Sequence, residues 1–392
     1  MSNFIYFKNG DLFVFGYNYY GQLGLCNNYR QQSGLGYKDI EIPTLLMTDK
    51  TIKNIICGKE HTIIYKENGD VLGFGSDNDS QLGLDQQYIV SKPTLLMTDK
   101  KIKNIHCGVY HTIIHKEDGN ILGLGSNMHG QLSLGYRVNI SILIANKIIN
   151  RSNTIIYKPT LLMSDKTIKN IICGYSHTII YKDNGDVIVF GCNLSGELGL
   201  GHSKDIRTPT LLMNDKQSVS GASTIRNIIC GAHYTIIYKD NGDVLVFGCN
   251  DCGQLGLGYD ENNVNKPTLL MNDTTIKNII CGHSHTILYK NNGDILGFGC
   301  NYYGELGLGH NKNIYKPTLL MNDKNIKNII CGAHYTIIYK DNGDVLVFGK
   351  NNHGQLGLGH NKNINVPTLL MNRKDIISIN GIKIIDTFSL KN

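Results

Sequence analysis

Hydrophobic and polar positions recur along the chain in one unit of roughly 50 residues. The stretch from Ile326 to Lys374 shows a complete unit, IKNIICGAHYTIIYKDNGDVLVFGKNNHGQLGLGHNKNINVPTLLMNRK. Its Ile-Lys/Arg-Asn-Ile opening also begins at Ile52, Ile102, Ile168, Ile225 and Ile276, in steps of 50, 66, 57, 51 and 50 residues. A fixed period of this length predicts a repeat architecture rather than several unrelated domains.

Four short β-strands are predicted in each unit. In the unit above, segments rich in β-branched and aromatic residues alternate with turn residues, and they are Ile326 to Cys331, His334 to Lys340, Asp344 to Phe348, and Thr368 to Met371. Asp341, Asn342 and Gly343 lie between the second and third segments and supply the residues of a tight hairpin. The pattern therefore indicates a small antiparallel sheet, repeated along the chain.

These sheets predict a closed ring. Ile337, Ile338 and the run Val345 to Val347 make both faces of a sheet apolar, so each sheet must lie between two neighbours. All seven prolines occupy one slot before Thr-Leu-Leu-Met, which gives seven units. The first unit lacks its front half, and Ile376 to Leu390 is a front half without a continuation. We expect an all-β, seven-bladed β-propeller of four-stranded antiparallel blades, one domain over residues 1–392, closed by pairing the N- and C-terminal strands in one blade.

The repeated motifs resemble a known family. The segments CysGly-x-x-HisThr, AspAsnGlyAsp, ValPheGly and Gly-Gln/Glu-Leu-Gly-Leu-Gly, in this order, are similar to the repeat of the regulator of chromosome condensation family. The resemblance covers all seven units and implies a seven-bladed propeller. It also implies a possible guanine-nucleotide exchange activity toward a small GTPase, which the best-known member performs with a projecting wedge and one propeller face. Family repeats often carry Trp where this chain has Phe or Leu.

Composition limits the class of protein further. The net charge of +6 is spread thinly over the units, so it gives little support to nucleic-acid binding, which concentrates Lys and Arg in one patch. No signal peptide and no run of about 18 apolar residues occurs, so we expect no membrane contact and a cytoplasmic or nuclear location. Heavy use of Ile, Asn and Lys in nearly identical repeats is typical of an A+T-rich genome, such as those of amoebae or their giant viruses, and the virion is then an alternative location.

Candidate chemistry is sparse. Six of the eleven cysteines and the recurring His61, His111, His177 and His285 occupy repeated slots, which we expect to lie far apart around a ring. Free buried thiols and structural histidines are therefore favoured over disulfides, metal ligation or acid–base catalysis. Cys249 and Cys252 form the one Cys-x-x-Cys, without a second ligand pair nearby in sequence. We predict no catalytic residues, no metal, no cofactor and no enzyme activity.

Function is expected where the repeats differ. The loop before the Pro-Thr segment usually has eight residues, but it has seventeen in the first unit (Cys26 to Ile42) and twenty-four in the third (residues 135–158). The third-unit insertion is basic and β-prone, which is typical of a protein contact, although a hairpin folded back on its own blade fits the pattern equally well. The candidate partner-binding residues are Arg137, Ile142, Ile144, Lys147, Arg151 and Lys158.

Three functions stay open on the sequence. The first is a non-catalytic interaction propeller with a protein partner, favoured by the lack of a catalytic residue set. The second is a guanine-nucleotide exchange factor for a small GTPase, implied by the family resemblance. The third is a viral structural or genome-packaging protein, in which the family likeness would reflect ancestry rather than activity. Nucleic acid is a weakly supported partner through the basic insertion.

Overall fold

The computed structural model describes residues 2–25, 36–84, 88–134, 140–144, 147–151, 154–216, 224–258 and 263–383. Its strands form seven blades, each with four antiparallel strands, as the sequence predicts. One blade contains both ends of the described chain and gains a short fifth strand. Among the described residues, no helix is long and apolar enough to cross a membrane.

The strands of the first three blades follow the repeat. Blade one contains β1 (Ser2–Phe7), β2 (Asp11–Gly16), β3 (Ile40–Thr48), β30 (Ile376–Ile379) and β31 (Ile382–Lys383). Blade two contains β4 (Ile52–Cys57), β5 (His61–Lys66), β6 (Asp70–Ser76) and β7 (Ile89–Thr98). Blade three contains β8 (Ile102–Cys107), β9 (His111–Lys116), β10 (Asn120–Ser126) and β13 (Ile155–Ser164). The insertion of blade three forms β11 (Ile140–Ile144) and β12 (Lys147–Arg151), which pair as a separate two-stranded sheet.

The remaining four blades have the same order of strands. Blade four contains β14 (Ile168–Cys173), β15 (His177–Lys182), β16 (Asp186–Gly191) and β17 (Ile206–Asn214). Blade five contains β18 (Ile225–Cys230), β19 (Tyr234–Lys239), β20 (Asp243–Gly248) and β21 (Val264–Asn272). Blade six contains β22 (Ile276–Cys281), β23 (His285–Lys290), β24 (Asp294–Gly299) and β25 (Ile314–Asn322). Blade seven contains β26 (Ile326–Cys331), β27 (Tyr335–Lys340), β28 (Asp344–Gly349) and β29 (Ile364–Asn372).

The hydrophobic cores lie between blades rather than within one blade. One core cluster joins Tyr234 and Ile236 of blade five to Ile279 and Phe298 of blade six, all of them buried. Each sheet buries both faces in this way, which explains why its strands read as nearly continuous apolar runs. The position where related repeats often carry Trp is buried in every blade, with Leu124 in blade three and Phe in the other six.

The ring closes in blade one. Strand β30 pairs antiparallel with β1, placing Ile5 opposite Ile379 and Tyr6 opposite Ser378. At the end of this pairing, the backbone N–H of Phe4 donates to Asn380 Oδ1 at 2.8 Å, and the Asn380 N–H donates to the Phe4 carbonyl at 2.8 Å. The predicted closure by both chain ends is therefore confirmed. Its extent differs, because β30 ends at Ile379 and β31 turns back beside it.

The strand order separates two faces of the ring. On one face, the turns between the second and third strands and the connections between blades meet, and we call it the hairpin face. On the other, the turns between the first and second strands meet the loops that follow the third strand, and we call it the loop face. Its described first-to-second-strand turns are residues 58–60, 108–110, 174–176, 231–233, 282–284 and 332–334. The insertion of blade three lies in a third-strand loop and therefore begins and ends on the loop face.

Candidate functional site: the loop face and the channel mouth

The loop after the third strand has the same hydrogen-bonded frame in every blade. In blade four, the Leu198 N–H donates to Asn193 Oδ1 at 2.9 Å, and the Ser195 N–H donates to Glu197 Oε2 at 2.8 Å. Asn or Asp makes the first of these bonds in the other six blades. Buried side-chain acceptors therefore hold each loop in one shape.

This rigid frame presents a variable residue at its tip. The tip follows the framing Asn or Asp directly, and its occupants are Tyr19, Asn78, Met128, Leu194, Asp251, Tyr302 and Asn352. Three of them expose much of their apolar surface, with Met128 at 55 %, Leu194 at 60 % and Tyr302 at 68 %. A fixed loop with a changing exposed tip is the arrangement in which binding residues are usually found.

A channel runs through the centre of the ring. Its cavity, about 260 Å³, is lined by the six cysteines that end the first strands of blades two to seven, together with Ser2, Asn380 and Ile382 from the chain ends. The expectation that these cysteine slots lie far apart is wrong, because the strands that carry them converge on the ring axis. All ten described cysteines are free, and the six in the channel wall are half-buried. Burial raises the pKa of Cys107 to about 12, so this thiol stays protonated at neutral pH.

Aromatic and histidine side chains surround the mouth of the channel on the loop face. We call Lys59, Tyr110, Tyr175, His233, His283 and His334 the mouth cluster. The Tyr175 ring lies 6.0 Å from Tyr110, 5.0 Å from His233 and 5.9 Å from His283, measured between centroids. Lys59 Nζ donates to the Tyr175 hydroxyl at 2.8 Å and lies 5.2 Å from its ring centroid. The cluster combines large rigid contact area with hydrogen-bonding groups, which is the composition of protein-binding hot spots.

Burial shifts the pKa values of two groups at the mouth toward their neutral forms. Burial, followed by the nearby His334, lowers the pKa of His283 to about 3, so His283 is neutral at physiological pH. Burial also raises the pKa of Glu60, which lines the neighbouring cavity with Lys59 and His283. That cavity has a volume of about 340 Å³ and opens beside Tyr17, Lys350 and His353.

The recurring histidines beneath the loop face are structural, but they are less completely hydrogen-bonded than expected. His61 Nε2 lies 3.1 Å from Thr112 Oγ1 of the next blade, and His285 Nε2 lies 3.3 Å from Thr336 Oγ1. Nδ1 of His61, His111, His177 and His285 has no hydrogen-bond partner. Burial lowers the pKa of His61 to about 3. Burial, followed by the neighbouring His61 and His177, lowers the pKa of His111 to about 3 as well. His111 is therefore close enough to interact with His61 and His177, and the expectation of wide separation is wrong for these three neighbouring copies.

One of the six predicted partner-binding residues lies outside the described residues, and the other five lie in described strands. Arg137 lies outside the described residues. Ile142 and Ile144 lie in β11, and Lys147 and Arg151 lie in β12, where the register places Ile144 opposite Lys147 and Ile140 opposite Arg151. Lys158 is exposed and belongs to β13 of blade three. The hairpin pairs only with itself among the described strands, and the role of these six residues stays a prediction.

The sequence did not single out the mouth cluster. Its residues occupy the two variable positions of the CysGly-x-x-His motif, such as Lys59 and Tyr175. Variation between repeats also marks these two positions, whereas differences in loop length mark only the insertions. Only the closure of the ring shows that these positions from different blades meet at one mouth.

Two groups of Cys, Glu and His lie between neighbouring blades and have ligand atoms suited to a metal ion. Cys192, Glu197 and His233 form one group, and Cys300, Glu305 and His334 form the other, with each set of ligand atoms within 4.8 Å of one another. Burial raises the pKa of Glu197, but the nearby His233 and His177 and the other lowering contacts together outweigh it and bring this pKa to about 2. No local sequence pattern indicates these groups, because their members come from different repeat units.

Comparison with known protein families agrees with this geometry. Residues 1–275 match the RCC1-like domain, and residues 292–339 and 342–381 match the regulator of chromosome condensation (RCC1) repeat. The chain belongs to the regulator of chromosome condensation family. The resemblance drawn from the repeated motifs is therefore confirmed, along with the β-propeller fold that it implies.

Curated relatives match part of the chain. Protein RCC2 of Mus musculus is 31 % identical over 152 residues, which is 38 % of this chain and 28 % of the relative. Secretion-regulating guanine nucleotide exchange factor of Mus musculus is 34 % identical over 128 residues, which is 32 % of this chain and 26 % of the relative. The matched segments thus span less than a third of these relatives' own length.

Solved structures share the fold along nearly the whole ring. Human WBSCR16 superposes with a TM-score of 0.73 at 22 % identity, covering 92 % of this chain and 94 % of that one. Prp20p from Saccharomyces cerevisiae, described with its binding properties to Gsp1p and histones, has a TM-score of 0.73 at 19 % identity and covers 94 % of this chain and 88 % of its own. At these identities the likeness establishes the propeller fold.

Proposed function

We propose that this chain is a non-catalytic protein-docking propeller and that its loop face receives the partner. The observation that carries the proposal is the combination of a repeated rigid loop frame with exposed, variable tips around one aromatic mouth. Met128, Leu194 and Tyr302 stand on loops whose backbone is held by buried acceptors, so their contacts require little ordering on binding.

The same face carries the other variable features of the chain. The mouth cluster lies on it, and the insertion between β10 and β13 begins and ends there. A partner that covers the mouth would contact several blades at once, and the basic insertion would extend its footprint. The residues Arg137, Ile142, Ile144, Lys147, Arg151 and Lys158 would then belong to the rim of this interface.

A small GTPase is the partner class that we place first. One relative is named as a guanine nucleotide exchange factor, and the solved neighbour Prp20p is described with its binding to Gsp1p. Guanine-nucleotide exchange on such a partner is accordingly the second candidate function. Exchange requires the propeller only to bind and distort its partner, so it is compatible with a ring that performs no covalent chemistry.

The test separates docking from exchange. Purified protein is titrated against a panel of small GTPases loaded with fluorescent GDP, recording both complex formation and nucleotide release. Two variants accompany it: Met128→Ser/Leu194→Ser/Tyr302→Ser on the loop face, and replacement of residues 137–157 by a short Gly-Ser linker. Binding without faster release supports docking alone, whereas accelerated release that either variant abolishes supports exchange.

A matched control tests the choice of face. The outer strands expose a leucine in each blade, and Leu95, Leu211 and Leu269 are 53 %, 52 % and 54 % exposed. The variant Leu95→Ser/Leu211→Ser/Leu269→Ser removes comparable apolar surface from the outer rim. We expect it to bind as the unaltered protein does. If the rim variant loses binding and the loop-face variant keeps it, the loop face is not the docking surface.

A further inference from the structure

Two clusters of equivalent residues recur on the loop-face side of the ring. Cluster A consists of the ligand group Cys192, Glu197 and His233 of blades four and five, together with His129 of blade three, which lies beside Cys192. Cluster B consists of the ligand group Cys300, Glu305 and His334 of blades six and seven, together with Cys252 of blade five, which stands in the slot that corresponds to His129. Each member of cluster A occupies the same slot of the repeat as the corresponding member of cluster B. The two clusters are therefore two copies of one arrangement of repeat positions.

The chain itself shows that these residues occur as a set. The slot of Glu197 and Glu305 holds Gln in the other five blades, namely Gln22, Gln81, Gln131, Gln254 and Gln355. Only the blade that follows each Glu carries the sequence CysGlyAlaHisTyr, which supplies His233 and His334. The Cys slot also holds a cysteine in blade five, Cys249, but there Gln254 stands in place of Glu and the displaced His is missing. Glu and the displaced His thus appear together or not at all.

In both Glu197 and Glu305, only one of the two carboxylate oxygens takes part in the loop frame. Glu197 Oε2 and Glu305 Oε2 accept the loop N–H of Ser195 and Tyr303 at 2.8 Å, the bond that Gln Oε1 makes in the other blades. The loop frame therefore does not need a negative charge. Both glutamates are completely buried, and Glu197 Oε1 has no hydrogen-bond partner. A buried carboxylate oxygen without a donor needs a cation close by.

The distances fit a tetrahedral ion. In cluster B, Glu305 Oε1 lies 3.6 Å from Cys300 Sγ and 3.4 Å from His334 Nδ1. In cluster A, Glu197 Oε1 lies 3.5 Å from His233 Nδ1. Ligands bound at roughly 2.1–2.3 Å to a tetrahedral zinc ion are separated from one another by roughly 3.4–3.8 Å. The atoms joined by these distances thus already stand at the spacing of a first coordination shell.

A fourth side chain lies beside each group of three ligands. The Cys252 thiol is in hydrogen-bond contact with the thiol of Cys300, and both cysteines are free. In cluster A, His129 and Cys192 form a further group with Asp205, and the ligand atoms of these three residues lie within 4.8 Å of one another. His129 Nδ1 lies 2.8 Å from Asp205 Oδ2, the kind of carboxylate contact that orients a metal-binding imidazole. Where Cys252 replaces the histidine, Asn313 replaces the aspartate, since a thiolate needs no such support.

We propose that both clusters bind Zn²⁺, cluster B through two sulfurs, a carboxylate and an imidazole, and cluster A through one sulfur, a carboxylate and two imidazoles. Each ion would join three successive blades and neutralise a buried carboxylate. His334 lines the cavity beside the channel mouth, which gives the ion of cluster B a path from the loop face. The sites would stiffen the surface to which the proposed docking function is assigned, but they do not depend on that function.

The decisive experiment measures metal stoichiometry. The full chain is stripped with a chelator under reducing conditions, titrated with Zn²⁺ against a competing indicator, and analysed for bound metal by mass spectrometry. Glu305→Gln and Glu197→Gln restore the residue of the other blades and keep the loop acceptor, so both variants should fold. We expect two ions per chain, one in each single variant and none in the double variant, with affinity at each altered site reduced at least about tenfold.

Cobalt titration distinguishes the two sites. Sulfur-to-cobalt charge-transfer absorbance scales with the number of thiolate ligands, so Glu197→Gln, which leaves cluster B, should retain about twice the absorbance of Glu305→Gln. Cys249→Ser is the matched control, because this cysteine shares the slot but lacks the Glu and His, and it should keep both ions. Failure of the unaltered chain to bind more zinc than the double variant, or an equal loss in Cys249→Ser, would overturn the proposal. A Cys252–Cys300 disulfide that persists under reducing conditions would exclude cluster B.

Discussion

The two faces of the ring are made by the same strands, but they differ in how closely the blades repeat. On the hairpin face, the lysine that ends the second strand pairs with an aspartate of the preceding connection in five blades, as in Lys66–Asp49 at 2.8 Å and Lys340–Asp323 at 2.7 Å. On the loop face, the backbone frame repeats while the tips change from Tyr302 to Asp251 to Leu194.

The difference separates what builds the ring from what varies on it. The hairpin face repeats side chains as well as backbone, so its residues are explained by the joining of one blade to the next. The loop face repeats only the buried acceptors that shape its loops, which leaves the exposed positions free to change without loss of the fold. We therefore expect substitutions on the hairpin face to change stability and substitutions at the loop tips to change binding.

The largest effect should follow removal of residues 376–392, because this change removes the strand that closes the ring and so affects both faces. This truncation deletes β30, exposes the inner edge of β1 and removes the two hydrogen bonds between Phe4 and Asn380, one to the side chain and one to the backbone. We expect loss of the cooperative melting transition and aggregation, since an uncovered strand edge recruits other chains. Differential scanning calorimetry and light scattering would record both changes.

A milder variant controls for simple shortening. Removal of residues 384–392 leaves β30 and β31 in place. It should melt within a few degrees of the full chain and stay monodisperse. If both truncations behave alike, the pairing of β30 with β1 does not close the ring in solution.

Acid should weaken the ring beneath the loop face. The folded protein keeps His61, His111, His177 and His285 neutral, because burial lowers their pKa values to about 3 or 4, whereas the unfolded chain takes up protons near pH 6.5. The unfolded state therefore binds more protons between these values, and stability falls as the pH drops from about 6.5. Each histidine contributes up to about 1.4 kcal/mol per pH unit to this slope. Urea unfolding at several pH values from 7.5 to 5 measures it.

The repeat offers its own control for this slope. Tyr234 and Tyr335 stand in the histidine slot of blades five and seven, so His61→Tyr places a naturally occurring residue there. Between pH 6.5 and 5, its free energy of unfolding should fall less steeply by up to about 1.4 kcal/mol per pH unit. An unchanged slope would show that His61 is not held neutral by burial.

The sequence predicted the blades better than the contacts between them. The first, second and third strands of blade seven agree with their predicted bounds to within one residue. The outer strand was predicted from Thr368 but begins at Ile364, because a register irregularity between Val347 and Gly349 lets Pro367 sit in the ladder without donating a bond. The pattern of hydrophobic and turn residues predicts the strands of a blade well, because strands that pair within a blade are also neighbours in sequence.

Contacts between different repeat units cannot be predicted from such a local pattern, because the residues that meet are far apart in sequence. The Cys-x-x-Cys of blade five had no evident ligand partner, yet Cys252 meets Cys300 of the next blade. The mouth cluster likewise unites residues separated by more than a hundred positions, such as Lys59 and Tyr175. A period of about 50 residues shows that equivalent positions exist but does not give the ring radius, which decides whether they touch.

Glycine substitutions compare the two faces at matched backbone geometry. Gly343 on the hairpin face has φ +97°, and a Cβ there would lie 2.8 Å from Lys374 Cγ, whereas Gly309 on the loop face has φ +77° with its nearest neighbour at 3.8 Å. Gly343→Ala should cost about 2–3 kcal/mol, and Gly309→Ala about 1 kcal/mol, because only the first adds a close contact to the backbone strain. Equal losses in urea unfolding would contradict the difference between the faces.

The smallest effect is expected from a single ion pair of the hairpin face. Lys340→Met keeps the length of the side chain but removes the 2.7 Å contact with Asp323, whose pKa is lowered by hydrogen bonding to Lys340 against the opposing effect of burial. The pair is partly solvated, so we expect a loss of about 0.5–1 kcal/mol that shrinks in high salt. The matched change Lys312→Met alters an exposed lysine on the loop face and should cost nothing measurable by urea unfolding. A larger loss from Lys312→Met than from Lys340→Met would mean that stability resides on the variable face, contrary to the division of roles drawn from the repeats.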